Sequence, residues 1–239
     1  MALIFDIETN GFLEDTTVTH VLVIKETEEG RVYNCNDQGA YRTVEDGVRM
    51  LQNATDHGIH IVAHNGIKFD IPALKKLYPW FNPNPEFVVD TLVMSRLMFP
   101  DLLDHDMSLI QKGKLPSKML KKHSLEAWGY RLGEHKIDYL DWCASNGVEN
   151  PWGQWSQEME DYCVQDVLTL EKLYNYLLDQ KYPEYPVKLE HQVAWIIARQ
   201  ERHGFVFDLT KAKALHVDLI RHKLEIESKL SEVFKPRFL

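Results

Sequence analysis

Apolar residues fall into short runs over the first ninety positions and into helical stripes thereafter. Ala2–Ile7 is an apolar run that ends among acids. Val18–Glu26 and Arg31–Cys35 are rich in strand-forming residues and flank Glu28-Glu29-Gly30, a turn signal, so they predict a hairpin. From Thr43, apolar residues at helical spacing (Val44, Val48, Leu51) predict a helix ending near Gly58. Ile59–Ala63 reads as a buried strand, Ile71, Leu74 and Leu77 as a helix that stops before Pro79, and Phe87–Val89 as a short strand ending at Asp90. The order β-β-β-α-β-α-β suits an α/β fold with a mixed sheet, not a doubly wound parallel one.

The remainder is mainly helical. Leu92–Phe99 and Leu125–Leu132 are short amphipathic pieces, and Gln154–Leu178 predicts a long helix with Met159, Cys163, Val167 and Leu170 on its stripe. Pro183 and Pro186 predict a linker after it. His191–His203 reads as helical up to Gly204, and Leu209–Val233 as a second long helix with Leu215, Leu219, Ile226 and Leu230 on one side. The expected division is a first domain over residues 1–187 and a helical extension over 188–239.

The apolar fraction of 44% is enough for a core and excludes wholesale disorder. The three cysteines are far apart, so neither a disulfide framework nor a thiolate zinc site is expected. The chain therefore reads as reduced and intracellular. It opens without a basic leader, and its longest apolar runs fall far short of a membrane span. The net charge of −9 argues against binding nucleic acid through overall charge, unless a site supplies its own cations.

Three groups of carboxylates need an explanation. Asp6 and Glu8 share one strand face, about 7 Å apart at the root. Acid-x-acid pairs are about as frequent as chance predicts, but this one ends a buried strand. It reads as a divalent-metal pair or as a solvated strand end. Asp166 lies among the apolar stripe residues of the long helix, one turn after Tyr162. Such a carboxylate is costly unless it is paired with an Arg or a helix N-terminus, or metal-bound. In His64-Asn65-Gly66-Ile67-Lys68-Phe69-Asp70, Asn65 or Asp70 is either a helix cap or a functional group, and His64 reads as a hydrogen-bonded core residue. Asp90 is expected to be simply a strand-end carboxylate, with an indirect role beside the metal as the other reading. Lys112, Lys114, Lys118, Lys121, Lys122 and His123 form the one basic segment, either a solvated loop or a phosphate-tracking loop.

Taken in order, Asp-x-Glu, Asn-x-x-x-Phe-Asp and Tyr-x-x-x-Asp resemble the DEDD exonucleases of the tyrosine subgroup. His64-Asn65-Gly66, Asp90-Thr91-Leu92, Gly113–Pro116, the stretch from His123 through Trp128 and Arg131 to Glu134, and Val164–Val167 look like the N-terminal proofreading domain of podophage (T-seven-like) family A DNA polymerases. Glu190-His191 through Phe205 resembles the start of the polymerase region.

The resemblance implies a ribonuclease H-like, five-stranded mixed sheet flanked by helices, with a C-terminal helical extension. It implies 3′–5′ hydrolysis of single-stranded or frayed DNA ends to nucleoside monophosphates, as the proofreading part of a phage DNA polymerase. Asp6, Glu8, Asp70 and Asp166 would hold two divalent ions, Mg²⁺ with Mn²⁺ as substitute, and Tyr162 would orient the attacking water. Thr9, Phe12, Asn65 and Phe69 would meet the substrate, with Phe12 against the terminal base; Lys114, Lys118, Lys122 and His123 of the basic segment are candidate phosphate contacts. Residues 188–239 would meet a polymerase domain or subunit, and the setting would be the cytoplasm of an infected bacterium. The alternatives are a DEDD ribonuclease acting on RNA 3′ ends and a non-catalytic polymerase accessory module.

Overall fold

The computed structural model describes residues 1–39, 41–134 and 139–234. Five strands, β1 (Ala2–Thr9), β2 (Thr19–Glu26), β3 (Val32–Asn36), β4 (His60–Ala63) and β5 (Val88–Asp90), form one sheet in the order β3-β2-β1-β4-β5. β1, β2 and β3 pair antiparallel, whereas β4 and β5 join on the other side in parallel. The sheet is thus the mixed one that the order of runs suggested.

The helices are α1 (Val44–Asp56), α2 (Asp70–Leu77), α3 (Thr91–Met98), α4 (Leu103–Gln111), α5 (Leu125–Leu132), α6 (Tyr139–Ser145), α7 (Gln157–Asp179), α8 (Glu184–His203) and α9 (Leu209–Val233). Both faces of the sheet are covered. Leu3, Phe5 and Ile7 of β1 pack with Val48 and Leu51 of α1 and Ile71 and Leu74 of α2. Ala2 and Ile4, one step out of phase, pack with Cys163, Val167 and Leu170 of α7 and Trp128 of α5. Strand alternation therefore assigns even positions of β1 to α7, and Asp6 and Glu8 inherit that direction. Full burial of Ile4, Phe5, Leu170 and Leu173 contributes about 1.5–3 kcal/mol each.

Four helices depart from the sequence expectation. α7 starts at Gln157 because the Ser156 hydroxyl caps it, accepting from the Met159 amide. Pro183 and Pro186 do not make a linker: α8 begins at Glu184 and takes Pro186 into its first turn, where no intrahelical donor is lost. α4 and α6 lay in stretches where no helix was expected.

The chain divides into two compact units, Met1–Arg199 and Gln200–Leu239, so most of α8 folds with the first unit and not with the tail. His191 and Ala198 are its buried residues. In the second unit Asp208 caps α9, and none of the residues of that helix is buried. Residues 235–239 of the expected extension lie outside the described residues. No helix among the described residues is long and apolar enough to cross a membrane. The three cysteines are free and buried.

The backbone of the basic segment is held down, while its lysine side chains are exposed. Leu115 and Met119 are buried with Ala127, and the buried Asp106 carboxylate of α4 accepts from the Lys121 amide at 2.7 Å. Arg131 of α5 donates to both Asp106 oxygens, at 2.8 and 2.9 Å, and lies over the Trp128 ring. Asp106→Ala should therefore lower stability by about 3–5 kcal/mol in urea unfolding, because it leaves the Arg131 guanidinium buried and unpaired. Joint replacement of Asp106 by Leu and Arg131 by Met should recover most of that loss. A single variant within 1 kcal/mol of the parent would show that this pair does not pin the segment.

Candidate active site

The site forms where β1 outlasts its parallel neighbour. β4 pairs with β1 only from Ala2 to Ile4. On the other side β2 stays paired to Thr9, with a register shift between Glu8 and Thr9. Asp6 and Glu8 therefore stand at the open end of the strand. An oxygen of each, with the Cys163 thiol of α7, falls within a set of ligand atoms all less than 4.8 Å apart. The Cys163 sulfur lies 3.5 Å from the Asp6 carbonyl oxygen and 3.6 Å from its carboxylate.

Tyr162 and Asp166 sit one turn apart on α7, close enough for the Asp166 charge to act on the Tyr162 phenol. Asp166, 6% exposed, faces Tyr162 and shares the field of Asp6 and Glu8. The Tyr162 ring is boxed by Tyr139 and Trp152, with centroids 5.8 and 6.3 Å away. His20 of β2 holds Trp152 through its carbonyl oxygen at 3.0 Å. Met159 and Cys143 complete this cluster.

Asp70 arrives from the opposite layer. It is the first residue of α2, 4% exposed, and its carboxyl feels the Ile7 amide that lies between Asp6 and Glu8 in sequence. It is not the cap of α2: Phe69 occupies that position without a side-chain bond. Asn65 is not a cap either. It adopts a left-handed backbone, φ 68°, and its amide donates to Asp90. The Asp90 carboxylate accepts from the amides of Asn65, Ile67 and Leu92, at 2.9, 3.2 and 2.9 Å. It is more than a strand-end acid, since it holds the turn leading into Asp70. His64 bonds the Thr91 hydroxyl at 2.8 Å, as a core histidine would, and burial lowers its pKa to about 4.

The electrostatics point one way. Burial, reinforced by the Asp90 charge, raises the Asp70 carboxyl to about 7, although its own backbone amide and, less, the Ile7 amide pull against it. Burial and then the charges of Asp166, Glu8 and Asp6 push the Tyr162 phenol far up. Burial and then Asp6, Glu8 and Asp166 do the same to the Cys163 thiol. All three groups feel an excess of negative charge. Hard oxygen donors in such a field fit a divalent cation of the Mg²⁺ or Mn²⁺ type.

The outer residues divide. Phe12 is 82% exposed on the loop after β1. Thr9 is buried, and its hydroxyl donates to the Gly11 carbonyl at 2.9 Å, bracing that loop. Phe69 packs partly buried against the core under α1 and α2, so its ring serves the core. Asn65 lines a cavity of about 450 Å³ with Lys68, Arg96 and Glu190. Lys114, Lys118 and Lys122 are exposed. His123 is half-buried with Ser95 at 3.2 Å. Cys163, Tyr139, Trp152 and His20 escaped the sequence reading, because only tertiary contact brings them to this site.

A mixed five-stranded sheet in this order, with an acidic cluster at the end of its first strand, defines a ribonuclease H-like fold. The chain belongs to the RNase_H superfamily, whose family model matches residues 3–178. Among curated proteins it is 38% identical, across 97% of its length, to the DNA-directed DNA polymerase of Escherichia phage T7 and to that of Enterobacteria phage T3. It spans 37% of the length of these relatives. Among solved structures, Brucella melitensis NrnC with bound Mg²⁺ aligns with a TM-score of 0.56 at 19% identity, over 87% of this chain and 89% of that one.

The raised Asp70 carboxyl has a consequence for the metal-free protein. Its proton is held more tightly folded than unfolded, so its contribution is full below the ordinary value of 3.8 and is lost as pH rises to about 7. In EDTA, stability should fall over that window by up to ~4 kcal/mol. Asp70→Asn should flatten this fall and be more stable than the parent at pH 8. A parent and variant with parallel pH profiles would remove Asp70 as the source.

Proposed function

We propose that this chain is a 3′–5′ exonuclease that removes nucleoside monophosphates from single-stranded or frayed DNA 3′ ends, as the proofreading part of a phage DNA polymerase. The observation that carries the reading is the meeting of Asp6, Glu8 and Asp166 with Tyr162 at the open end of β1, with Asp70 beside Ile7. Two divalent ions held by Asp6, Glu8, Asp70 and Asp166 would supply Lewis-acid stabilisation of the phosphate and a more acidic water. Membership of the RNase_H superfamily and likeness to phage polymerases support the choice of nuclease and of DNA.

The protein's own groups divide the remaining work. Tyr162 stays protonated in its negative surroundings, so its hydroxyl orients water and does not act as a base. The aromatic box around it fixes the ring in advance, which favours positioning. The exposed Phe12 is suited to stack on the terminal base, and Lys114, Lys118 and Lys122 to follow the phosphates of the strand. Thr9 and Phe69 contribute by shaping the surroundings of the site. Residues 188–239 join or dock on a polymerase polypeptide, in the cytoplasm of the infected host.

The test is digestion of labelled single-stranded DNA and RNA with and without Mg²⁺. Mg²⁺-dependent release of nucleoside monophosphates from the DNA 3′ end is expected. Preference for RNA ends would favour a ribonuclease, and no release from either would favour a binding module. Asp6→Ala and Asp166→Ala should each abolish hydrolysis in a folded protein, and full activity in either would sink the ligand assignment. Tyr162→Phe should lower kcat by roughly 10- to 100-fold, with little change in metal binding. An unchanged rate in single-turnover conditions would make the hydroxyl dispensable.

A further inference from the structure

His191 on α8 is remote in sequence from the carboxylates, and the proposed chemistry makes no use of it. Its ring is 8% exposed, and both nitrogens are engaged. Nδ1 lies 2.8 Å from the Val187 carbonyl oxygen, one turn earlier. A carbonyl only accepts, so Nδ1 carries the hydrogen. Nε2 lies 2.8 Å from the backbone nitrogen of Asp90, which only donates, so Nε2 is the bare acceptor. The two neighbours thus select the neutral Nδ1–H tautomer.

The need for that acceptor follows from the topology. β5 is an edge strand, and its outward amides have no ladder partner. His191 stands where a sixth strand would have offered a carbonyl. An apolar side chain there could pack α8 equally well, but it would leave the Asp90 amide buried and unpaired.

What Asp90 does next gives the contact its reach. Its carboxylate binds the amides of Asn65 and Ile67. Between them Gly66 has no room for a side chain: a Cβ would sit 2.5 Å from the Ala63 Cβ and 3.8 Å from an Asp70 carboxylate oxygen. The Gly66 carbonyl then accepts from the Ile71 amide at 3.0 Å, which fixes the turn to the start of α2 and to Asp70. We infer that His191 is a positioning residue for the metal-binding carboxylate Asp70, acting through Asp90 and the Asn65–Ile67 turn. The inference rests on the proposed reading of Asp70 as a metal ligand.

The test compares the full chain with His191→Phe, which keeps the ring and loses the acceptor, and with His191→Gln, whose amide oxygen can reach the place of Nε2. Mn²⁺ binding is measured by calorimetry without substrate, together with the Mg²⁺ concentration for half-maximal hydrolysis. Loss of a group that orients a metal ligand typically costs 10- to 100-fold in affinity, so His191→Phe should bind Mn²⁺ about 10-fold more weakly. Saturating Mg²⁺ should restore most of its rate, and His191→Gln should recover most of the lost affinity. If His191 merely anchors α8, His191→Phe will melt earlier yet keep the parent's Mn²⁺ affinity, and that result overturns the inference. Should His191→Phe not fold, Asp90→Asn carries the same test, and parent-like Mn²⁺ affinity there overturns it too. A parent that binds no Mn²⁺ defeats the metal-ligand reading as well as the relay. A parent that binds Mn²⁺ while the variants match it defeats the relay alone.

Discussion

The unequal length of two neighbouring strands underlies the architecture of the site. β1 continues past the point where β4 stops pairing with it, and the backbone there has a neighbour on one side only. An unpaired amide inside a protein must find another acceptor. Asp70, from the α2 layer, stands near the Ile7 amide, whose donor pulls weakly on its carboxyl. α7, on the other face, supplies Tyr162, Cys163 and Asp166 against the same strand end. One ladder that ends early thus lets two helical layers meet.

Such a meeting works against the folded state. Burial raises the Asp70 carboxyl, the Tyr162 phenol and the Cys163 thiol, and nearby carboxylate charge adds to each shift. The rest of the structure is arranged to withstand it. Both sheet faces are packed by closely fitted apolar side chains, the turn before α2 is tied by two amides to Asp90, and the ring of Tyr162 is enclosed by other aromatic rings. Rigidity around a strained centre is what a positioned reaction requires.

Much of this could be read from residue order, and the unread parts share a cause. Short apolar and strand-forming runs bounded by turn residues located the strands, and alternation along β1 placed Asp6 and Glu8 on one face. Tyr162 and Asp166 were legible because helical spacing is itself geometric. Asp90 was read as a plain strand end because its role depends on amides more than twenty residues earlier. His191 and Cys163 act through contacts across more than a hundred residues, which no local pattern encodes. Phe69, which the resemblance offered as a substrate contact, is partly buried against the core beside α2. Pro186 was misjudged for another reason: proline breaks a helix interior but suits its first turn, and only the true start of α8 distinguishes the two.

The two-residue repeat of β1 also governs which changes of length this chain can survive. Removing one residue between Ala2 and Asp6 would exchange the faces of the strand beyond the cut while the sheet pairing stayed in place. Both acids would then point into the apolar layer under α1 and α2, and Ile7 would take the place of a carboxylate opposite α7. A single deletion would remove two donors and bury two charges at once. The loop from Asn10 to Val18 faces no such parity rule, since extra residues there add only a small cost in closure entropy. Insertions and deletions in relatives of this protein should therefore collect in that loop and avoid the strand before it.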